Sequence, residues 1–379
     1  MKVCIVVTHL LGTGHLSRAL TLARAFRDAG HQPVVISGGM PVPHLDSAGI
    51  PMLHLPPLRS DGVDFSRLLD KDGAPASGTL FDTRHKMLIA HIEADPPDAL
   101  ITELFPFGRR SLRDELTALL ETAHALPHRP LICASIRDIL APPSKPAKAA
   151  LADDLIAQFY DAVLVHADGE VTPLELSWPV PEEWRAKLHY TGFVAPPAAG
   201  PHPESLGDGE VLVSAGGGGV GDHIFATAVA AASQDADRPW RLLVGGQNAL
   251  GRCRLLAQSA AANTTVEPAH SAFRQMLYHA SASVSMCGYN TALDVLQSGV
   301  RAIFVPFDAG SEIEQGLRAR ALADLPGIAV LKNANLTPET LLQALQTVSE
   351  GPQRAPRLQG FDGAARTVDI VEGLWVKMA

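Results

Sequence analysis

A histidine and a glutamate in the first half of the sequence are the residue types that general-base chemistry requires. His15 follows a hydrophobic strand and a glycine-containing turn, at the start of a predicted helix. A neutral imidazole there can accept a proton from a hydroxyl or a water, because its unperturbed pKa is near ~6.5 and the positive helix end disfavours its charged form. Glu103 ends another predicted strand, and we expect it to orient the histidine or to contact an acceptor hydroxyl. His9, at the end of the first strand, is the alternative base.

A second glycine-rich turn predicts a phosphate site in the latter half of the chain. Ser214 ends a predicted strand, and four glycines follow Ala215 before a helix near Asp222. Backbone N–H groups in such a turn, and at a helix N-terminus, face an anion. The alternative is a tight turn that needs positive φ, but four glycines exceed that need, so we expect a diphosphate. The glycines are Gly216, Gly217, Gly218 and Gly219.

Two later strand–loop–helix units begin their helices with polar residues that could bind sugar hydroxyls. Asp294 lies one turn into a predicted helix, where a carboxylate can accept two hydrogen bonds from a ribose. Glu314 and Gln315 open the next helix and offer acceptors and donors to sugar hydroxyls. The alternatives are an acid favoured by the helix dipole for Asp294 and ordinary solvated side chains for the other two.

Length, charge and cysteine usage exclude several classes of protein. A chain of 379 residues fits two domains. The net charge of −9 and the absence of a Lys/Arg cluster argue against a nucleic-acid partner. No apolar run approaches the ~20 residues of a transmembrane helix. The four cysteines have no paired or metal-like spacing, so we expect reduced cysteines and a cytoplasmic location. The two D-x-D patterns, at residues 70–72 and 235–237, lie in polar segments outside the predicted strands, so we expect no catalytic metal, and we expect no cofactor. The oligomeric state does not follow from the sequence.

The alternation of apolar runs and amphipathic segments predicts an α/β protein with two Rossmann-like, doubly wound parallel sheets that face a cleft. Predicted strands cover residues 3–8, 33–37, 99–102, 130–135 and 162–166, then 211–214, 241–244, 265–267, 283–286 and 302–305, with a short one near Ala329. Predicted helices include residues 15–29, 112–123, 290–297, 312–323, 338–348 and 364–375. We predict domains over residues 1–195 and 209–361, a Pro- and Gly-rich linker over 196–208, and a last segment, 362–379, that returns to the first domain.

These motifs resemble the glycosyltransferases of the GT-B fold, in particular the family 28-like group that contains the bacterial N-acetylglucosaminyltransferase forming lipid II. The turn of Gly12, Thr13 and Gly14 with His15 resembles the first glycine-rich loop of that family, whose histidine faces the acceptor side. Ser214 and the four glycines resemble the loop that approaches the donor diphosphate. The most specific match is the stretch GYNTALDVLQSGVRAIFVPF, which spans residues 288–307.

The resemblance implies a set of donor-binding residues. The family holds the donor ribose with an acidic residue at the position of Asp294, and the sugar hydroxyls with residues at Glu314 and Gln315. Phe273 falls where the family packs against uracil, with His270 nearby. The remaining donor-side positions that it implies are Gly288, Asn290 and Thr291.

The resemblance also implies an activity: inverting, metal-independent transfer of a sugar from a nucleotide-sugar donor, expected to be UDP-linked, to an acceptor hydroxyl. The first loop has one glycine fewer than the family's, and residues 103–107 replace its second glycine motif, so we expect an acceptor other than the lipid-linked muropeptide. The first loop is also similar to UDP-sugar hydrolases of nonulosonic-acid synthesis, in which the histidine would activate water. A UDP-sugar epimerase and a non-catalytic nucleotide-sugar-binding subunit are further alternatives.

Overall fold

The structure, a computed structural model, describes residues 1–10, 13–42, 45–60, 67–216, 220–246, 248–308, 313–357 and 359–378. The chain divides into two units. The first contains Met1–Ala195 together with Gly360–Ala379, and the second contains Pro196–Gln359. The segment predicted as a linker, residues 196–208, is grouped with the second unit, where the Pro196 carbonyl accepts a hydrogen bond from Nε2 of Gln297 at 3.1 Å.

The first unit is built on a seven-stranded parallel sheet with the order β3-β2-β1-β4-β5-β6-β7. Its strands are β1 (Lys2–Val7), β2 (Gln32–Gly39), β3 (Met52–Leu58), β4 (Ala99–Glu103), β5 (Leu131–Arg137), β6 (Ala162–His166) and β7 (Leu188–Tyr190). Its helices include α1 (Gly14–Asp28), α2 (Gly78–Ala94), α3 (Arg113–Ala125) and α4 (Pro146–Phe159). The strand order reverses between β1 and β4. In such sheets, ligands bind beyond the carboxyl ends of the strands at this reversal.

Helix α1 fixes the position of the candidate histidine because one of its faces is held in the core. The buried residues on this face include Leu16, Ala19, Leu20, Ala23 and Phe26, which recur at the three- and four-residue spacing of a helix. They pack with Val3, Ile5 and Val7 of β1 in one apolar cluster. The helix begins directly after the turn that follows β1, so its first turn lies at the carboxyl edge of the sheet.

The second unit has a six-stranded parallel sheet with the order β10-β9-β8-β11-β12-β13. Its strands are β8 (Val211–Ser214), β9 (Trp240–Val244), β10 (Thr264–Pro268), β11 (Ala282–Ser285), β12 (Ala302–Phe304) and β13 (Ile328–Val330). Its helices are α5 (Asp222–Ser233), α6 (Ala249–Ala257), α7 (Phe273–Met276), α8 (Tyr289–Ser298), α9 (Glu314–Leu322) and α10 (Pro338–Glu350). The order reverses between β8 and β11, as it does between β1 and β4.

The last helix, α11 (Gly363–Met378), belongs to the first unit. It packs against α1, and its Val368 and Val371 lie in the same apolar cluster as β1. Within the ranges that the structure describes, no helix is both long enough and apolar enough to cross a membrane.

The predicted fold class is confirmed: both sheets are parallel, and helices alternate with the strands along the chain. Elements that the sequence did not predict are β3, β7, α2, α4, α6 and α7. For two of these elements, the structure gives a physical reason why the sequence did not predict them. β3 contains Pro56 and Pro57, which cannot donate to a ladder, and it is tolerated because it lies at the edge of the sheet. In α2 only Arg84, Leu88 and Ile92 are buried, so its apolar periodicity is weak.

Candidate catalytic and donor-binding sites

The structure brings His15 and Glu103 together at the carboxyl ends of β1 and β4. Nδ1 of His15 lies 2.8 Å from Oε1 of Glu103. Arg18, one turn further along α1, donates from Nε to Oε2 of Glu103 at 3.4 Å and from Nη2 to Oε1. The Glu103 side chain is 1% exposed and that of His15 is 14% exposed. The carboxylate is therefore enclosed, while the imidazole reaches the surface of the site. Their catalytic role stays a prediction.

The proton positions in this cluster follow from its charges. Burial raises the pKa of the Glu103 carboxyl, but Arg18 and the hydrogen bond from His15 outweigh it and hold that pKa well below its usual range. Nδ1 of His15 lies 2.8 Å from Oε1 of Glu103 and 3.1 Å from Nη2 of Arg18. A carboxylate only accepts hydrogen bonds, and without a hydrogen on Nδ1 two lone pairs would face each other across the shorter contact, so we assign the hydrogen to Nδ1. Nε2 is then the basic nitrogen. This is the arrangement in which a carboxylate fixes the tautomer of a general base.

His15 is in its basic form at neutral pH. Burial lowers the pKa of His15 to about 4, Glu103 opposes that shift, and Arg18 and Arg109 add to it. The imidazole therefore carries no charge near pH 7. It can accept a proton at Nε2 when a hydroxyl or a water is placed beside it.

The geometry favours His15 over the alternative base. His9 is buried two residues beyond β1, with 5% exposure, and both of its ring nitrogens are shielded from solvent. Its ring occupies the space that a side chain at Gly39 would need, so it packs as a core residue.

Of the predicted first loop, Thr13 is the residue before α1 and makes no side-chain capping bond to the helix. A Cβ built at Gly14 would meet no atom within 4 Å, so open space adjoins the start of the helix. Gly12 lies outside the described residues.

The residues predicted for the diphosphate that the structure describes, Ser214 and Gly216, lie at the carboxyl end of β8, and the donor-side Gly288 follows β11. Ser214 is the last residue of β8, and it is 6% exposed. Gly216 has φ +75°, and the space that a Cβ would take there is open. Gly288 precedes the first residue of α8 and also adjoins open space. Both positions allow backbone N–H groups to approach an anion. Gly217, Gly218 and Gly219 lie outside the described residues.

Asp294, the predicted ribose ligand, forms an ion pair with Arg274, a residue that the sequence analysis did not single out. Nε of Arg274 donates to Oδ1 of Asp294 at 2.7 Å. Burial raises the pKa of Asp294, and Arg274 opposes the shift. Arg274 also donates from Nη2 to Oε1 of Gln297 at 2.9 Å and to the Pro197 carbonyl at 2.8 Å. A ribose that bound Asp294 would share its carboxylate with this guanidinium.

The other predicted donor residues lie on, or just before, the helices that follow β10, β11 and β12. Phe273 is half-buried at the start of α7, and Nδ1 of His270 accepts from the Ala272 N–H at 3.0 Å. Glu314 and Gln315 are the first two residues of α9, and Oε1 of Gln315 accepts from the Phe307 N–H at 3.1 Å. Asn290 is exposed and Thr291 half-buried in the first turn of α8.

Sequence reasoning also missed two polar residues behind the catalytic pair. Oγ of Ser135 donates to Oε2 of Glu103 at 2.6 Å, and Nε2 of His166 lies 2.9 Å from the same Oγ. The sequence could have indicated them, because both residues end predicted strands and the carboxyl ends of parallel strands lie at one edge of the sheet. Within the described residues, no group of three or more His, Cys, Asp and Glu side chains could hold a metal ion.

Known proteins match this chain in sequence and in fold. Residues 244–366 match the family model of the glycosyltransferase family 28 C-terminal domain. Over 182 residues the chain is 28% identical to the UDP-N-acetylglucosamine–N-acetylmuramyl-(pentapeptide) pyrophosphoryl-undecaprenol N-acetylglucosamine transferase of Phenylobacterium zucineum, an alignment that covers 45% of this chain and 49% of the relative. The chain thus spans about half the length of this curated relative.

Solved structures of two glycosyltransferases share the fold over almost the whole chain. MurG of Acinetobacter baumannii superposes with a TM-score of 0.63 at 16% identity, over 98% of this chain and 100% of that one. CalG4, the calicheamicin glycosyltransferase, superposes with a TM-score of 0.66 at 16% identity, over 100% of this chain and 99% of that one. The chain therefore shares its fold with these two glycosyltransferases, and residues 244–366 match a glycosyltransferase family 28 C-terminal domain, as the sequence predicted.

Proposed function

We propose that this protein transfers a sugar from a nucleotide-sugar donor, UDP-linked, to the hydroxyl of an acceptor. Nε2 of His15 accepts the proton of that hydroxyl as its oxygen attacks the anomeric carbon. The bond from that carbon to the diphosphate breaks, and the nucleoside diphosphate leaves with its electron pair. Glu103 stabilises the imidazolium that forms. The observation that carries the proposal is the hydrogen bond from Nδ1 of His15 to a buried, ionised carboxylate, which leaves Nε2 as the base.

The second unit supplies the donor site in this proposal. The diphosphate rests against the turn after Ser214 and the N-terminus of α8, whose N–H groups stabilise the leaving group without a metal or a cofactor. Asp294 accepts from the ribose, and Phe273 packs against the base. Glu314 and Gln315 bind hydroxyls of the transferred sugar. An attack opposite the leaving group inverts the anomeric configuration.

Calorimetry and thermal unfolding with a panel of UDP-, dTDP-, GDP- and ADP-sugars test the donor. A ligand at 100 times its Kd stabilises the folded state by about 2.7 kcal/mol. We expect the largest shift of the melting temperature with a UDP-sugar. No shift with any member of the panel would contradict the donor assignment.

The transfer reaction is tested by following the sugar and the nucleotide separately. With the bound donor and a panel of alcohol acceptors, we expect nucleotide release that depends on the acceptor, an inverted anomeric centre by NMR, and no effect of EDTA. Rapid stoichiometric sugar release without an acceptor would identify a hydrolase, and conversion to an isomeric sugar would identify an epimerase. Donor binding without turnover under any of these conditions would identify a binding subunit.

We also propose that the protein works in the cytoplasm. The four cysteines are free and buried, as expected in a reducing compartment. Cell fractionation tests this location, and recovery of the protein outside the cytoplasm would contradict it.

A further inference from the structure

A buried line of hydrogen bonds extends from the candidate base into the first unit. It begins with His15 and Glu103 and continues from Oε2 of Glu103 to Oγ of Ser135 at 2.6 Å. Oγ of Ser135 lies 2.9 Å from Nε2 of His166, and Nδ1 of His166 lies 2.9 Å from Oγ1 of Thr191. Ser135, His166 and Thr191 are fully buried. None of these three residues can therefore touch a substrate.

The sheet itself sets this line of contacts. Glu103 and Ser135 are register partners on the parallel strands β4 and β5. His166 is the last residue of β6, and it pairs with Arg137, two residues beyond Ser135 on β5. Residues two apart on a strand point to the same face, so three adjacent strands present polar side chains on one side of the sheet at its carboxyl edge.

The ionised carboxylate fixes the direction of every hydrogen in the line. The Ser135 hydroxyl has one proton, and Glu103 can only accept, so the proton lies between them. Oγ of Ser135 then accepts from His166, which requires the hydrogen of that ring to be on Nε2. Burial keeps His166 uncharged, lowering its pKa to about 3, so Nδ1 accepts from the Thr191 hydroxyl.

A competing arrangement exists, but it conflicts with the carboxylate. Oγ1 of Thr191 also lies 2.8 Å from the Gly192 carbonyl and 3.4 Å from the Val165 carbonyl. If its hydrogen pointed to a carbonyl, Thr191 could bond to Nδ1 of His166 only as an acceptor, which requires the Nδ1–H tautomer and reverses the hydrogens of His166 and Ser135. The reversal would leave Oε2 of Glu103 facing an oxygen lone pair at 2.6 Å. A hydrogen bond to a charged acceptor is about twice as strong as one to a neutral acceptor, so the carboxylate decides the direction.

We propose that Ser135 and His166 are positioning residues for the base: His166, as its Nε2–H tautomer, orients the Ser135 hydroxyl onto Glu103 and thereby holds the carboxylate against Nδ1–H of His15. The catalytic consequence rests on the proposed function, because it supposes that His15 accepts the acceptor proton. The positions of the hydrogens along this line do not depend on the proposed function.

Glutamine and asparagine separate this role from simple packing at His166. In His166→Gln the amide nitrogen of the new side chain would occupy the place of Nε2 and could still donate to Ser135. In His166→Asn the amide reaches only the position of Nδ1, so Ser135 loses its donor. Ser135→Ala removes the hydroxyl itself. Ser283→Ala is the matched control, since Ser283 is a fully buried strand serine of the second unit.

Steady-state kinetics with the donor identified above give the first readout. We expect Ser135→Ala and His166→Asn to lower kcat roughly 10- to 100-fold, the loss of one hydrogen bond to a charged group. The KM for the donor should stay within about twofold. His166→Gln should stay within about threefold of the wild-type kcat, and Ser283→Ala should match the wild type. Equal losses in the two His166 variants, or an undiminished kcat in Ser135→Ala, would overturn the proposal.

Nitrogen-15 NMR of labelled histidines gives a second readout that needs no turnover. We expect hydrogen on Nε2 of His166 and on Nδ1 of His15 in the wild type. His15 should become a mixture of tautomers in Ser135→Ala and His166→Asn, but not in His166→Gln. Hydrogen on Nδ1 of His166 would overturn the proposal. If the wild type transfers no sugar but these tautomers are found, the proposed function fails and the positioning network stands. If His166→Asn does not fold, the kinetics of Ser135→Ala and the histidine tautomers of the wild type still test the proposal.

Discussion

Replacing His166 with glutamine is expected to make the first unit more resistant to acid. Burial, with a smaller contribution from Arg18, lowers the pKa of His166 to about 3 from its ordinary value of 6.5. Between these two values the unfolded chain binds a proton that the folded state does not. The free energy of unfolding therefore falls as the pH decreases from about 6.5 toward about 3. Glutamine does not titrate, so this part of the pH dependence disappears.

The linkage relation gives the size of the effect. Because the pKa of His166 lies well below its unfolded value, this residue removes on the order of 2–3 kcal/mol from the free energy of unfolding between pH 7 and pH 4.5. The steepest contribution is about 1.4 kcal/mol for each pH unit. Domains are typically stable by only about 5–15 kcal/mol, so this one residue is expected to set much of the acid limit of the first unit.

Urea unfolding at pH 7 and pH 4.5, followed by tryptophan fluorescence, measures this difference. Trp178 and Trp184 are buried in the first unit and Trp240 in the second, so a Trp240→Phe background reports on the first unit. The loss of stability between the two pH values should be smaller in His166→Gln than in the parent by roughly 2–3 kcal/mol. His85→Gln, at an exposed position of α2, is the matched control. An equal loss in His166→Gln and its parent would refute the reasoning.

The remaining predictions concern the proposed reaction and the backbone of the second unit. His15→Ala should lower turnover by roughly 10²–10⁴ with UDP affinity unchanged in calorimetry; an unchanged kcat would remove His15 from that role. Glu103 raises the pKa of His15, so Glu103→Gln should move the acid limb of the kcat profile to lower pH. The same variant should lower kcat roughly 10- to 100-fold. A shift of the acid limb to higher pH would contradict the stated effect of Glu103 on the pKa. Asp294→Asn should weaken UDP binding at least about tenfold by calorimetry, and a change below twofold would exclude a ribose contact. Gly216→Ala should lower the free energy of unfolding of the second unit, measured in urea, by about 1–2 kcal/mol, because Gly216 has φ +75°. Gly288 has φ −64°, so the control Gly288→Ala should change that free energy by less than about 0.5 kcal/mol.

Local sequence patterns were sufficient to predict the fold class and the main elements around the candidate base. Helix α1 has apolar residues at a helical spacing, and Gly30, with φ +85°, follows its end. Strands β1, β4, β5 and β6 are short apolar runs, and the last three end in polar residues. β3 and β7 could not be predicted in this way, because an edge strand with two prolines and a three-residue strand obtain their ladder partners from the sheet.

The sequence by itself determined which residue types stand at the ends of the strands, including His15 after β1 and Glu103 at the end of β4. It could do so because apolar periodicity and glycine turns act over a few residues. Only the tertiary structure decided which of these side chains meet. Arg18 and Glu103 are 85 residues apart in the chain, and Ser135 and His166 are 31 residues apart. Their contacts depend on strand order and register, which place distant strand ends at one edge and bury their charges together.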